Sequence, residues 1–113
     1  MNFTTQQHGA VTVVALEGNL MGGPDAAALN RTLHELVDAG KTRVVLDLRG
    51  VQFMNSSGLG LLIGGASTLK TAGGALAIAG ASEKILSLIK ITRLGTVLAT
   101  YPGVEEAVAS FAP

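Results

Sequence analysis

The sequence contains no cysteine and no tryptophan, and aromatic residues make up only 4% of its 113 residues. Without cysteine the chain cannot form a disulfide, a thiolate metal site or a cysteine nucleophile. This composition suits a reducing compartment, and the segment Met1–Gln6 lacks the basic and long apolar regions of a secretory signal. We therefore expect a cytoplasmic protein.

An excess of charge of either sign is also missing, because eight basic and eight acidic residues cancel. No cluster of Lys and Arg offers a footprint for a phosphate backbone, which argues against a nucleic-acid partner. The most apolar stretch, Leu59 to Ala66, is interrupted by glycines and is far shorter than the roughly 20 residues that a membrane span requires. With 48% hydrophobic residues, the chain is expected to fold as a single domain, residues 1–113, around a large core.

The usual sequence signatures of catalysis are absent. The nearest match to a phosphate-binding loop, Gly40-Lys41-Thr42, lacks the earlier glycine of that motif. No cluster of Asp, Glu and His surrounds His8 or His34 at ligand spacing, so we expect two exposed histidines and no metal. The Gly-x-Ser-x-Gly elbow of hydrolases does not occur. These absences favour a binding module, without catalytic residues and without a cofactor.

Short apolar and β-branched runs predict the strands. The first two runs, separated by Gly9, are expected to form a hairpin. The third run is almost continuously aliphatic, which is typical of a central strand covered on both faces. The predicted strands are residues 3–7, 11–17, 43–48, 75–79 and 96–100, with a turn-rich loop from Gly18 to Pro24.

Amphipathic helical patterns separate these strands. In the first, apolar residues recur at helical spacing from Leu29 to Val37, with Asp25 as the predicted N-cap and Gly40 as the stop. In the second, close packing against another helix explains the internal glycines. Further helices are expected after Ser82 as an N-cap and after Gly103. The alternation predicts an α/β fold, a mixed sheet of four to five strands covered by about four helices.

The junction Phe53–Gly58 carries two consecutive serines, Ser56 and Ser57, where the third strand meets the second helix. A serine at a helix N-cap accepts a hydrogen bond from a free backbone N–H, so one of the pair is expected to cap the helix. The second hydroxyl exceeds what capping requires, and Gly58 is expected to leave the site open to a partner. From the residues alone, a functional role and a purely structural role remain equally supported.

The segment Val44–Gly60, which reads VVLDLRGVQFMNSSGLG, closely resembles the signature of STAS domains, in particular the stand-alone bacterial anti-sigma-factor antagonists. The resemblance continues in order over nearly the whole chain. It implies a STAS-like mixed sheet and a partner-binding site at the serine pair. Further stretches that resemble the family are Glu17–Leu20, the helix near Ala28–Val37 and the closing Val104–Val108.

The resemblance also implies a mechanism. In that family the first serine of the pair, here Ser56, is phosphorylated by a partner that is both serine kinase and anti-sigma factor. Ser57 is then the cap or orienting neighbour and the less favoured phosphorylation site, and a PP2C-type phosphatase would reset the switch. Many phosphorylated members carry Asp where this chain has Asn55. The expected partner-binding residues are Asn55, Ser56, Ser57, Gly58 and Leu59.

Two alternatives stay open. The chain could be a STAS subunit of a lipid-transport or stress-signalling complex, in which the serines help docking and are never phosphorylated. A small enzyme or nucleotide-binding protein is the third class, for which the sequence supplies no recognisable phosphate motif.

Overall fold

The computed structural model describes residues 2–21, 23–91 and 98–111. Within these ranges five strands and four helices follow one another, and after an opening hairpin they alternate. The strands are β1 (Asn2–His8), β2 (Val11–Leu20), β3 (Arg43–Met54), β4 (Ala75–Ala79) and β5 (Ala99–Tyr101), and the helices are α1 (Pro24–Asp38), α2 (Ser56–Thr71), α3 (Glu83–Ile91) and α4 (Val104–Ala109).

The strands form one mixed sheet in the order β1-β2-β3-β4-β5. The β1–β2 hairpin is antiparallel, and the other three pairs are parallel. This confirms the α/β fold and the central position of β3. The last strand begins at Ala99, and residues 96 and 97 of the predicted strand lie outside the described ranges.

Helices cover both faces of the sheet. Helices α1, α2 and α3 contribute buried side chains to the larger core on one face, including Leu33, Leu62 and Ile85. Helix α4 places Ala107 in a smaller core with Val45 on the other face. Burial of apolar surface on both faces explains why β3 is almost continuously apolar over its first half.

The predicted third strand covers residues 43–48, whereas β3 continues for six more residues to Met54. Its pairing contains two irregularities. Its pairing with β2 gains one extra residue between Asp47 and Gly50, and another between Val51 and Phe53. Each inserted residue shifts the alternation of side chains between the two faces. The residues of β3 that reach the larger core are therefore spaced by two, two, three and three positions: Val44, Leu46, Leu48, Val51 and Met54.

The predicted start of α1 is wrong. The helix begins at Pro24, the N-cap is Gly23 with φ of 73°, and Asp25 is already the second helical residue. Proline is favoured at this first helical position, where its missing N–H would have no partner in any case. Gly40 follows the helix end with φ of 78°, as expected for a helix stop. The predicted loop is also too long, since β2 continues to Leu20.

The remaining predictions for the helices are mostly confirmed. Ser82 accepts a hydrogen bond from the backbone N–H of Ile85 at 3.3 Å, as an N-cap does. Gly65 packs closely, since a Cβ there would lie 2.8 Å from Leu33 Cδ1. The same explanation is wrong for Gly60 and Gly64, which are exposed with open space around them. In the described ranges, no helix is long and apolar enough to cross a membrane.

Candidate functional site

A single residue, Asn55, connects the end of β3 to the start of α2. Its backbone is extended, with φ of −100° and ψ of −177°, as is usual for an N-cap residue. The side-chain Oδ1 accepts a hydrogen bond from the backbone N–H of Gly58 at 2.9 Å. Asn55, and neither serine, is therefore the side-chain cap of α2.

The same side chain also holds the end of β2. Asn55 Nδ2 donates to the carbonyl oxygen of Met21 at 3.2 Å, and the backbone N–H of Asn55 donates to the Leu20 carbonyl at 3.4 Å. One amide group thus bonds to two separate backbone segments. The amide supplies both a donor and an acceptor, whereas an ionised carboxylate here would lack the donor that bonds to the Met21 carbonyl.

Ser56 and Ser57 are the first two residues of α2, and both are exposed. Within the described ranges, neither hydroxyl forms a hydrogen bond with the protein. The prediction that Ser57 caps the helix is therefore wrong. Asn and Ser are almost equally good N-caps, and the position of the backbone turn selects Asn55 here. Both hydroxyls are free for other chemistry.

The backbone at the helix start can accept a negative charge. Among the described residues, the N–H groups of Ser56 and Ser57 have no hydrogen-bond partner, and the first turn contains no acidic side chain. Free N–H groups at a helix N-terminus and the positive end of the helix dipole favour an anion. A group bearing negative charge on either serine is thus electrostatically tolerated.

Gly58 is buried, and its role differs from the predicted one. A Cβ at this position would collide with the carbonyl oxygen of Leu20 and would lie 3.0 Å from Met54 Cγ. The glycine lets α2 start directly against the end of β2, and it does not keep the surface open. Leu59 is only 4% exposed and belongs to the larger core. Its side chain therefore cannot make the expected direct contact with a partner.

Two large apolar side chains near the serines are exposed. Met21, whose carbonyl accepts from Asn55, is 46% exposed, and Phe53, two residues before Asn55, is 47% exposed. Phe53 faces outward because of the irregularity in β3, which keeps Val51 and Met54 in the core. The sequence places Met21 in a loop near Asn19 to Asp25 that is a candidate partner surface, but it does not indicate the exposure of Phe53, since nothing in the pattern around Phe53 shows the inserted residue.

A groove of about 200 Å³ lies beside Phe53, between the end of β3 and α3. Its walls are mainly apolar, with the ammonium group of Lys84 as the one basic group among the lining residues. An exposed apolar surface is typical of a protein-binding site. The groove is lined by Gln52, Phe53, Met54, Lys84, Ile85 and Leu88.

A charged pair lies earlier on β3. Arg49 Nη2 contacts Asp47 Oδ2 at 2.8 Å, and the Arg49 backbone N–H donates to Asp47 Oδ1 at 3.1 Å. Burial alone would raise the pKa of Asp47, but these hydrogen bonds and the charge of Arg49 outweigh it and hold the pKa below 3.8. Asp47 is therefore ionised near neutral pH, and the pair serves the structure of the strand.

The two histidines do not form part of a metal site in the described ranges. His8 and His34 are both exposed, as predicted, and lie on β1 and α1. Within residues 2–21, 23–91 and 98–111, no three His, Cys, Asp or Glu side chains form a cluster that could hold a metal ion.

Comparison with known proteins places this geometry in context. A model of the STAS domain family matches residues 2–107 of the chain, whereas no curated protein gives a significant match. A Thermotoga maritima crystal structure has a TM-score of 0.89 at 20% identity, over 98% of this chain and 95% of that one. An anti-sigma factor antagonist from Mycobacterium paratuberculosis gives 0.86 at 23%, over 99% and 94%. The Bacillus cell fate determinant SpoIIAA in its phosphorylated form gives 0.75 at 21%, over 96% and 98%.

Proposed function

Because this chain belongs to the STAS domain family, we propose that it is an anti-sigma-factor antagonist that acts by partner switching. The unmodified protein binds a serine kinase that is also an anti-sigma factor, and phosphorylation at Ser56 ends this binding. A PP2C-type phosphatase restores the unmodified form. The protein acts in the cytoplasm as a binding module without catalytic activity. The structural similarity to the Mycobacterium antagonist and to phosphorylated SpoIIAA supports this proposal.

The observation that carries the proposal is the division of roles at the start of α2. Asn55 caps the helix through Gly58, so neither serine hydroxyl is needed for the fold. Both serines are exposed at the first helical positions. A kinase can therefore reach a hydroxyl here without opening any part of the described structure.

Phosphorylation should leave the free protein folded. A phosphoserine adds a charge of about −1.5 to −2 near neutral pH. At this helix start, the charge meets free backbone N–H groups and no acidic side chain in the first turn. The switch therefore needs no refolding of the domain.

Phosphorylation should, in contrast, weaken the binding of the partner. Ser56 comes three residues after the exposed Phe53 and directly after Asn55, which bonds to the Met21 carbonyl, so a partner that covers this region would remove water from the phosphate. A buried dianion without a compensating partner charge is costly, and each loss of about 1.4 kcal/mol reduces affinity tenfold. The added charge thus weakens the complex while sparing the free domain.

The choice of Ser56 over Ser57 rests on the family signature, because both hydroxyls are exposed. The amide at Asn55 does not oppose the proposal. Its Oδ1 is occupied by the Gly58 N–H and its Nδ2 by the Met21 carbonyl. A neutral residue at this position also adds no repulsion toward a neighbouring phosphate.

The competing function is constitutive docking as a STAS subunit of a lipid-transport or stress-signalling complex. In that case the exposed serines would contact a partner and would never be modified. The two functions share the same surface and differ only in the chemistry at the hydroxyl, so a direct assay of phosphate transfer separates them.

The experiment incubates the full chain with ATP and the candidate kinase encoded beside its gene, then maps phosphate by mass spectrometry. We expect one phosphate at Ser56, lost in Ser56→Ala and retained in Ser57→Ala. Ser67, an exposed serine farther along α2, is the internal control and should stay unmodified. A kinase that binds the chain without modifying either residue of the pair would support docking instead.

A further inference from the structure

Strand β1 forms one edge of the sheet, and its outer side has no strand partner in the described part of the chain. Its sequence, NFTTQQH, contains no Asp, Glu, Lys, Arg or Pro. The pairing with β2 runs without interruption from Asn2 to His8, so no bulge bends the edge. Seven residues give a straight edge of about 23 Å with free backbone donors and acceptors.

Proteins usually protect such edges. Short strands, charged side chains, proline and bulges all prevent a second chain from adding to a sheet. The opposite edge of this sheet has one of these protections, since β5 is only three residues long. Strand β1 has none of the four, which marks it as the edge that accepts another strand.

The side chains of β1 identify that strand. When two copies of β1 run antiparallel with Thr5 opposite Thr5, Thr4 faces Gln6 of the other copy, Phe3 faces Gln7, and Asn2 faces His8. None of these cross-strand pairs brings like charges together, and the Thr–Thr and Thr–Gln pairs can hydrogen-bond. Phe3 is partly buried, and the other six side chains of the strand are exposed.

We propose that β1 is a self-association edge, through which two copies of this chain join their sheets into one continuous antiparallel–parallel sheet. The two-fold axis passes between the Thr5 residues. Strand β2 separates β1 from β3, which leads into the serine site. No residue of the serine site lies on β1, and this inference does not depend on the proposed function.

The test measures molar mass by analytical ultracentrifugation over micromolar to sub-millimolar concentrations of the full chain. The unmodified chain should approach twice its monomer mass of 11.4 kDa. In Thr5→Lys or Thr5→Glu, two like charges face each other across the axis, which should weaken self-association by about tenfold or more. An equimolar mixture of the two variants should restore it, because Lys then faces Glu.

The matched control is Thr100→Lys, which places the same charge on an exposed threonine of the opposite edge strand. It should dimerise like the unmodified chain. Circular dichroism of each variant confirms that the fold is intact. Three results would each overturn the proposal. The unmodified chain could stay monomeric throughout, dimers could persist in both Thr5 variants, or the mixture could fail to restore association.

Discussion

The side-chain oxygen of Asn55 accepts a hydrogen bond from the backbone N–H of Gly58 at 2.9 Å. This single bond decides the roles of the serines between them, because it satisfies the helix start without either hydroxyl. The helix is thus capped by the residue before the pair. Ser56 and Ser57 remain exposed and free to react.

Substitution of Asn55 should separate its two bonds. Asn55→Ala removes both the cap and the bond to the Met21 carbonyl and should lower the free energy of unfolding by about 2 kcal/mol. Asn55→Ser can still cap the helix but lacks the amide group that donates to the Met21 carbonyl. It should therefore lower the free energy of unfolding by about 1 kcal/mol. Urea unfolding measures both values. Equal losses in the two variants would show that only the bond to the Met21 carbonyl contributes and that the cap does not.

Two glycines of α2 should respond in opposite directions to alanine. Gly58→Ala forces a Cβ into the Leu20 carbonyl and should destabilise the domain by about 3 kcal/mol. Gly60→Ala, two residues on, meets open space and should stabilise it by about 0.5–1 kcal/mol, because alanine is the better helix former. Thermal unfolding of both variants is the measurement. Tolerance of alanine at Gly58 would contradict the close approach of α2 to β2.

The Asp47–Arg49 pair predicts a pH dependence. The pKa of Asp47 is lower in the folded protein than its ordinary 3.8, so its stabilising effect is complete above about pH 4 and is lost as the pH falls through the folded value. Asp47→Asn should therefore lower stability near neutral pH by about 1–2 kcal/mol. The difference from the unmodified chain should shrink below about pH 4. A difference that stays constant with pH would exclude an ionic contribution of Asp47.

Phe53 should matter more for binding than for folding. Its side chain is 47% exposed, so Phe53→Ser should change the unfolding midpoint little. An aromatic residue at the centre of an interface contributes strongly, and affinity for the partner should fall about tenfold or more. Isothermal titration calorimetry with the partner tests this. Unchanged affinity would place the interface away from the groove beside Phe53.

Most strands and helices can be predicted from the sequence, because the spacing of apolar residues along the chain shows which residues of each element are buried. The aliphatic run at Val44–Leu48 identifies the central strand, and the helical spacing of apolar residues identifies the helices. The extension of β3 to Met54 could not be predicted, since an inserted residue in a strand disrupts the alternation that identifies strands. The outward position of Phe53 follows from the same irregularity.

The serine pair itself is visible in the sequence, but the roles around it depend on tertiary structure. Asn, Ser and Asp are similar N-caps, so the residue types do not show which of Asn55, Ser56 and Ser57 caps the helix. The function of Gly58 depends on the carbonyl of Leu20, which is distant in sequence and adjacent in space. Long-range contacts of this kind leave no local pattern.

We propose that charge at Ser56 switches partner binding without disturbing the fold. The most direct measurement is the affinity of three variants for the kinase partner: Ser56→Asp, Ser56→Ala and the control Ser67→Asp, which lies about 16 Å farther along the helix axis. We expect the affinity to fall at least about tenfold for Ser56→Asp alone, with unchanged unfolding midpoints for all three variants. Equal binding by Ser56→Asp and Ser56→Ala would contradict it.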